Sequence, residues 1–160
     1  MKNQSSKISR IASSMMIVCG VLLSGSLGWA QSTSGFCSDR ILRGNYGFSV
    51  EGVVTPAPGV QVPIRGVAMT NFDGEGHLTQ VDHIVIPGAP PPALDWTKGT
   101  GTYHVNADCT GTAHIDVPST GDFVNLRFVV AAIGNQIQTV VVAPFSGPER
   151  AVSSVGIRLL

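Results

Sequence analysis

The stretch Gly101-Thr102-Tyr103-His104-Val105-Asn106-Ala107-Asp108-Cys109-Thr110-Gly111-Thr112-Ala113-His114-Ile115-Asp116-Val117 decides the fold. Apolar and polar residues alternate on either side of a centre rich in turn formers, which is the period of a strand rather than of a helix. Tyr103, Val105 and Ala107 share one face and read as core, whereas Thr102, His104 and Asn106 share the other. Asp108 to Gly111 supplies the turn, so the stretch is a β-hairpin. A turn at that place sets Val105 opposite Ala113 and His104 opposite His114, with Asp116 two residues further along the same outward face.

The same alternation recurs from Gly44 to the end of the chain, and nowhere does a capped 3.6-residue pattern replace it. Eight strands are expected: Gly44 to Val54, Pro63 to Phe72, His77 to Pro87, Gly101 to Ala107, Thr112 to Val117, Phe123 to Ile133, Gln136 to Ala143 and Arg150 to Leu160. Asp73-Gly74-Glu75-Gly76, Thr110-Gly111 and Gly134-Asn135 carry residues that tolerate positive φ in tight turns. Short connections make consecutive strands antiparallel neighbours. The class is therefore all-β, and an eight-stranded antiparallel up-and-down β-barrel disposes of exposed edges most economically, with a β-sandwich as the alternative. Two segments depart from this rhythm. Thr55 to Val62, with Pro56 and Pro58, reads as a stiff loop; Gly88 to Lys98, with Pro90-Pro91-Pro92 and Trp96, reads as a long loop whose tryptophan serves as a lid or packs over the barrel end as a plug.

Residues 1–30 have the order of a secretory leader: Lys2, Lys7 and Arg10, then an apolar run from Ile11 to Leu27, then Gly28-Trp29-Ala30 with small residues where a signal peptidase reads. The run is short and broken by glycine, unlike a membrane span. Cys19 lies inside it behind Val18, which departs from a lipoprotein layout. The expected organisation is a cleaved leader (1–30), an N-terminal segment (31–43) and one barrel domain (44–160), giving a secreted or periplasmic product. Losing Lys2, Lys7 and Arg10 from ten basic residues leaves seven against ten acidic ones, so the mature chain lacks the footprint of a nucleic-acid binder. Its two remaining cysteines, Cys37 and Cys109, most simply form a disulfide in an oxidising compartment, two buried free thiols being the alternative.

Together with Gly44-Asn45-Tyr46-Gly47-Phe48, Gly52 and Phe72 to Gly76, the run Gly101 to Thr112 resembles a group of small secreted bacterial proteins sharing a GTYxVNxDCTGT signature. The resemblance spans nearly all of the mature chain. It implies an eight-stranded barrel similar to the calycin and allene oxide cyclase-like barrels, and it brings no activity and no catalytic residues with it.

Several residues bear on function. His104, His114 and Asp116 on one face would suit a divalent metal or a proton-transfer pair, against the plain alternative of a solvated polar face. Alternation puts His77 and His83 with Thr79 and Val81, and Asp82 on the opposite face, so these do not form one cluster. Asp73 and Glu75 belong to a hairpin turn that lacks the oxygen ligands of a calcium loop. No nucleophile elbow, zinc helix or phosphate loop is present, so hydrolase chemistry is disfavoured and no cofactor is expected. Tyr46, Tyr103 and Trp96 are candidate ligand-binding residues. Glu51, of opposite parity to Tyr46, Phe48 and Val50, is expected outside. Apolar residues on both faces from Leu126 to Ala143 suggest a homo-oligomer interface, or cover by the segment around Phe36. An outer-membrane barrel is argued against by the few aromatic residues and the girdle-free end Leu159-Leu160. Three readings follow: a non-enzymatic module that binds a small apolar ligand or a protein partner, an isomerase or cyclase acting on an apolar substrate, and a structural envelope component. The intact mass of the exported protein is expected to correspond to a chain beginning at Gln31; an uncleaved or lipid-bearing N-terminus would overturn this.

Overall fold

The computed structural model of the chain describes residues 36–90, 93–142 and 149–160. The expected leader, Pro91, Pro92 and Ala143 lie outside the described residues. Among those described, eight strands close into one barrel in simple sequence order, every neighbour antiparallel and the last strand pairing with the first. They are β1 (Gly44–Ala57), β2 (Val60–Phe72), β3 (His77–Val85), β4 (Thr97–Val105), β5 (Thr110–Val117), β6 (Asp122–Ala131), β7 (Gln136–Val142) and β8 (Glu149–Arg158). The up-and-down barrel expected from alternation is thus the fold, not the sandwich. No helix among the described residues is long and apolar enough to cross a membrane.

Strand parity sets the interior. Tyr46 and Phe48 on β1, Ala68 and Phe72 on β2, Ile115 on β5, Phe128 on β6 and Ile137 on β7 point inward and are buried. Glu51 points outward, fully consistent with its parity, and pairs at 3.7 Å with Arg65 on the neighbouring strand, both side chains exposed. Two inward glycines make room for large rings: a Cβ on Gly111 would run into Phe128, and one on Gly156 into Phe48.

Four connections differ from expectation, the first being Gly88 to Lys98, whose last residues Thr97 and Lys98 already belong to β4. The stiff loop Thr55 to Val62 is instead a continuation of the β1–β2 hairpin, which turns at Pro58-Gly59; a register shift between Val54 and Ala57 absorbs Pro56, whose missing N–H a regular ladder would not accept. The β4–β5 turn closes earlier than the sequence suggested. Asn106 N–H donates to the Thr110 carbonyl at 2.8 Å, and Cys109, not Thr110 or Gly111, takes the left-handed conformation at φ 68°. Asp108 Oδ1 accepts from both the N–H and the hydroxyl of Thr110, fixing this turn locally. Ala107 is exposed in it rather than buried. In the β6–β7 connection, Ala132, Ile133 and Gly134 are all left-handed, and Ile133 projects into solvent.

One end of the barrel is plugged by the N-terminal segment. A 3-10 turn at Asp39–Ile41 delivers Leu42 into the core with no exposed surface. Tyr103 Oη lies 3.0 and 3.1 Å from the Asp39 and Leu42 carbonyls, which share its one proton, and accepts the Gly74 N–H at 3.0 Å. The Val105 N–H donates to Asp39 Oδ1 at 2.6 Å. Tyr46 donates to the Gly134 carbonyl, and the rings of Tyr46, Phe72 and Tyr103 meet edge to face at 5.3 and 4.9 Å. The Cys37–Cys109 disulfide ties the segment to the β4–β5 turn. Phe36 itself is exposed, and residues 31–35, the rest of the stretch expected as a cover, lie outside the described residues. The C-terminal strand ends beside the same plug, where the Leu159 N–H donates to the Asn45 carbonyl at 2.8 Å.

A bond spanning 72 residues restricts the unfolded chain strongly. Replacing both cysteines (Cys37→Ser with Cys109→Ser) is expected to lower stability by about 4 kcal/mol on the chain-entropy argument, read from urea denaturation; an unchanged midpoint would mean that the plug holds without its covalent tie.

Candidate functional site

Plugging one end leaves the interior to be filled by side chains or left open toward the other. It is left partly open. A cavity of about 390 Å³ runs from Phe72, Leu78 and Ile137 beside the plug to Val54, Pro56 and Ile86 at the opposite end, where Pro56 and Ile86 are exposed. At ~30 Å³ per water molecule this is room for on the order of a dozen waters, and it lies in the range of small-molecule sites. The walls are mainly aliphatic and aromatic: Phe48 and Val50 on β1, Ile64 on β2, Ile115 on β5, Leu126 and Phe128 on β6.

Two polar groups interrupt the lining. On β2 and β3 a chain of hydrogen bonds runs from the Thr70 hydroxyl to Gln80 Oε1 at 3.2 Å and from Gln80 Nε2 to Asp82 Oδ2 at 2.9 Å. On β7 and β8 Thr139 and Ser154 share a hydrogen bond at 2.7 Å. Strands β3 and β7 are four apart in a ring of eight, so Asp82 and Thr139 stand on opposite walls, while Thr70 on β2 and Ser154 on β8 flank β1. Asp82 shares its parity with Leu78, Gln80 and Ile84, which turns it inward, half-buried between the middle of the barrel and the mouth. Burial pushes its pKa up, a shift moderated by the Gln80 amide and the nearby His83. Among the described lining residues there is no lysine, arginine or histidine. The site therefore presents one carboxylate to an apolar void, with acceptor capacity and negative charge when ionised.

The expected site residues are placed elsewhere. Tyr46 and Tyr103 are buried in the plug, their hydroxyls committed to it and their pKa values raised mainly by burial; neither lines the cavity. Trp96 is neither lid nor plug. It is half exposed, immediately before β4, with its ring 6.3 Å from that of His83, whose Nδ1 donates to the Asp95 carbonyl at 2.6 Å. His83 is on the outer face of β3, so Trp96 belongs to the outside of the barrel.

The trio His104, His114 and Asp116 does not assemble. Because the turn closes on Asn106 and Thr110, His104 faces Thr112, and His114 faces Thr102, two residues away from the expected pairing. His104 Nδ1 sits 3.3 Å from Asp39 Oδ1 at the plug. His114 lies between Asn125 at 2.8 Å and Asp116 at 3.2 Å, and the Asn125 hydrogen bond, then Asp116, raises its pKa. Among the described residues no three His, Cys, Asp or Glu side chains are grouped to hold a metal ion. Asp73 and His77 form the expected turn: Asp73 Oδ1 accepts the N–H groups of Glu75 and His77 at 2.6 and 3.0 Å. Asp82, the residue that matters in the cavity, was set apart from the histidines by alternation; the signal that it faces inward was its common parity with Leu78 and Ile84.

Comparison with protein-family models, with curated proteins and with solved structures finds no match.

Since folding raises the pKa of Asp82, the folded chain binds its proton more tightly than the unfolded chain. The resulting contribution to stability is complete below the unfolded pKa and is lost as pH rises through the folded one. Asp82→Asn, which keeps the shape and the acceptor oxygen, is expected to raise the thermal midpoint at pH 7, with the difference closing as pH falls toward about 4. A midpoint lowered by the substitution at pH 7 would contradict this.

Proposed function

We propose that the chain is an exported, non-enzymatic β-barrel module that holds one small apolar ligand inside the barrel. The observation that carries the reading is the apolar cavity of about 390 Å³, sealed at one end by a covalently tied plug and bordered at the other, among the described residues, by the exposed Pro56 and Ile86. Water gains few hydrogen bonds from such walls, so an apolar molecule that displaces it is favoured. The Cys37–Cys109 disulfide and the leader-like residues 1–30 support a secreted or periplasmic location, where disulfides persist. A purely structural envelope component called for a filled, dry interior, and the cavity counts against it.

Asp82 favours a second reading, an isomerase or cyclase working on an apolar substrate. A carboxylate with a raised pKa in a sheltered cavity is the kind of group that takes up and returns a proton. The binding reading takes precedence because the described lining offers one such carboxylate and no second titratable partner to complete an acid–base pair.

The neutral fluorescent probe N-phenyl-1-naphthylamine is expected to bind the full-length mature protein saturably with one site per chain. Ala68→Phe, which extends a ring from the wall into the void beside Asp82, is expected to weaken that binding by about tenfold or more while the fold persists by circular dichroism. Absence of saturable binding to the unsubstituted protein would overturn the reading.

A further inference from the structure

The barrel lumen has one charged group among its described walls, and its sign is negative. Asp82 receives one hydrogen bond in the lumen, from the Gln80 amide, which is itself committed on its other side to Thr70. Asp82 lines the cavity and no Lys, Arg or His is among the described lining residues; the cationic group near enough to act on it is His83, on the outer face of β3. Around it the walls are apolar, so the charge is poorly screened and any ligand group near it is selected by charge as well as by fit. A carboxylate-bearing amphiphile would bring a second negative charge into this space, an arrangement that disfavours ionisation of both groups. A neutral hydrocarbon would leave the carboxylate desolvated and unpartnered, which is costly. A protonated amine resolves the conflict: its N–H groups donate to Asp82 while its apolar body takes the surface lined by Phe48, Ile115 and Phe128. The Thr139–Ser154 pair on the facing wall supplies hydroxyls for a second, neutral polar point on the same molecule.

We infer that the ligand of this barrel is an apolar molecule carrying a basic nitrogen, and that Asp82 is the residue that selects it. The inference rests on the binding reading given above and adds the ligand's charge class to it.

The test is displacement of N-phenyl-1-naphthylamine from the full-length mature protein by decylamine, decanol and decanoate at pH 7.5, three molecules of one chain length and different head-group charge. Decylamine is expected to displace the probe at a concentration about tenfold or more below decanol, and decanoate to be the weakest. In Asp82→Asn the advantage of decylamine over decanol is expected to vanish, with the probe and decanol binding more tightly than before because the carboxylate they leave unpartnered is gone. Equal displacement by amine and alcohol on the unsubstituted protein, or an amine preference that survives Asp82→Asn, would overturn the inference and leave the apolar cavity standing. Failure of the probe itself to bind would instead sink the cavity reading. The order of the three compounds on the unsubstituted chain decides the matter even if the variant folds poorly.

Discussion

The fastening of the Asp39–Leu42 segment to β4 is the constraint from which the rest of this structure follows. A closed barrel solves the problem of strand edges but leaves two open ends and a lumen. Filling one end with a piece of backbone requires its carbonyl and N–H groups to be satisfied. Tyr103 does this with a single hydroxyl that serves two carbonyls and one N–H, and Asp39 returns the favour by accepting the Val105 N–H. The residues from Gly101 to Thr112 that stand out in the sequence are therefore the anchorage of a plug. Tyr103, Val105, His104 and Cys109 each hold part of it, and Asn106, Asp108 and Thr110 shape the turn that places the disulfide.

With the core concentrated at the plugged end, the opposite half of the barrel is released from the need to pack. The aromatic contacts of Tyr46, Phe72 and Tyr103 and the buried Leu42, Val105 and Ile137 supply close packing where the segment enters. Toward the mouth the lining becomes half-exposed and includes a carboxylate, Asp82, that burial disfavours. A group that burdens stability within an otherwise consistent fold is a departure from the local rules that the scaffold obeys, and it is on this departure that the proposed site is centred.

Strand alternation made the barrel legible, and it made legible which face of β1 was inside, because Tyr46, Phe48 and Val50 are large and unambiguous. It also separated Asp82 from His77 and His83. What alternation could not supply was register: His104 and His114 seemed paired because Thr110-Gly111 looks like a turn, whereas the left-handed Cys109 and the Asp108 carboxylate move the closure by one residue on each strand. The start of β4 was missed for a related reason. Its inward positions Gly99 and Gly101 carry no side chain to betray a strand, yet the space they leave is taken by Ile115 and by the backbone at His114. Pro56 suggests a loop, yet a local register shift accommodates it within a long hairpin. Tyr46 and Tyr103 looked like ligand groups since phenols are polar; their hydroxyls were spoken for by backbone that the sequence alone could not bring near.

The meeting of the last strand with the first, where Leu159 bonds to Asn45 and Arg158 lies against the ring of Tyr46 and the Arg43 carbonyl, has a geometric consequence. Both ends of the barrel's chain emerge beside the plug, on the side away from the mouth. A partner, a surface or a fused domain joined through either end would grip the molecule by its base, and the mouth of the cup would point away from it.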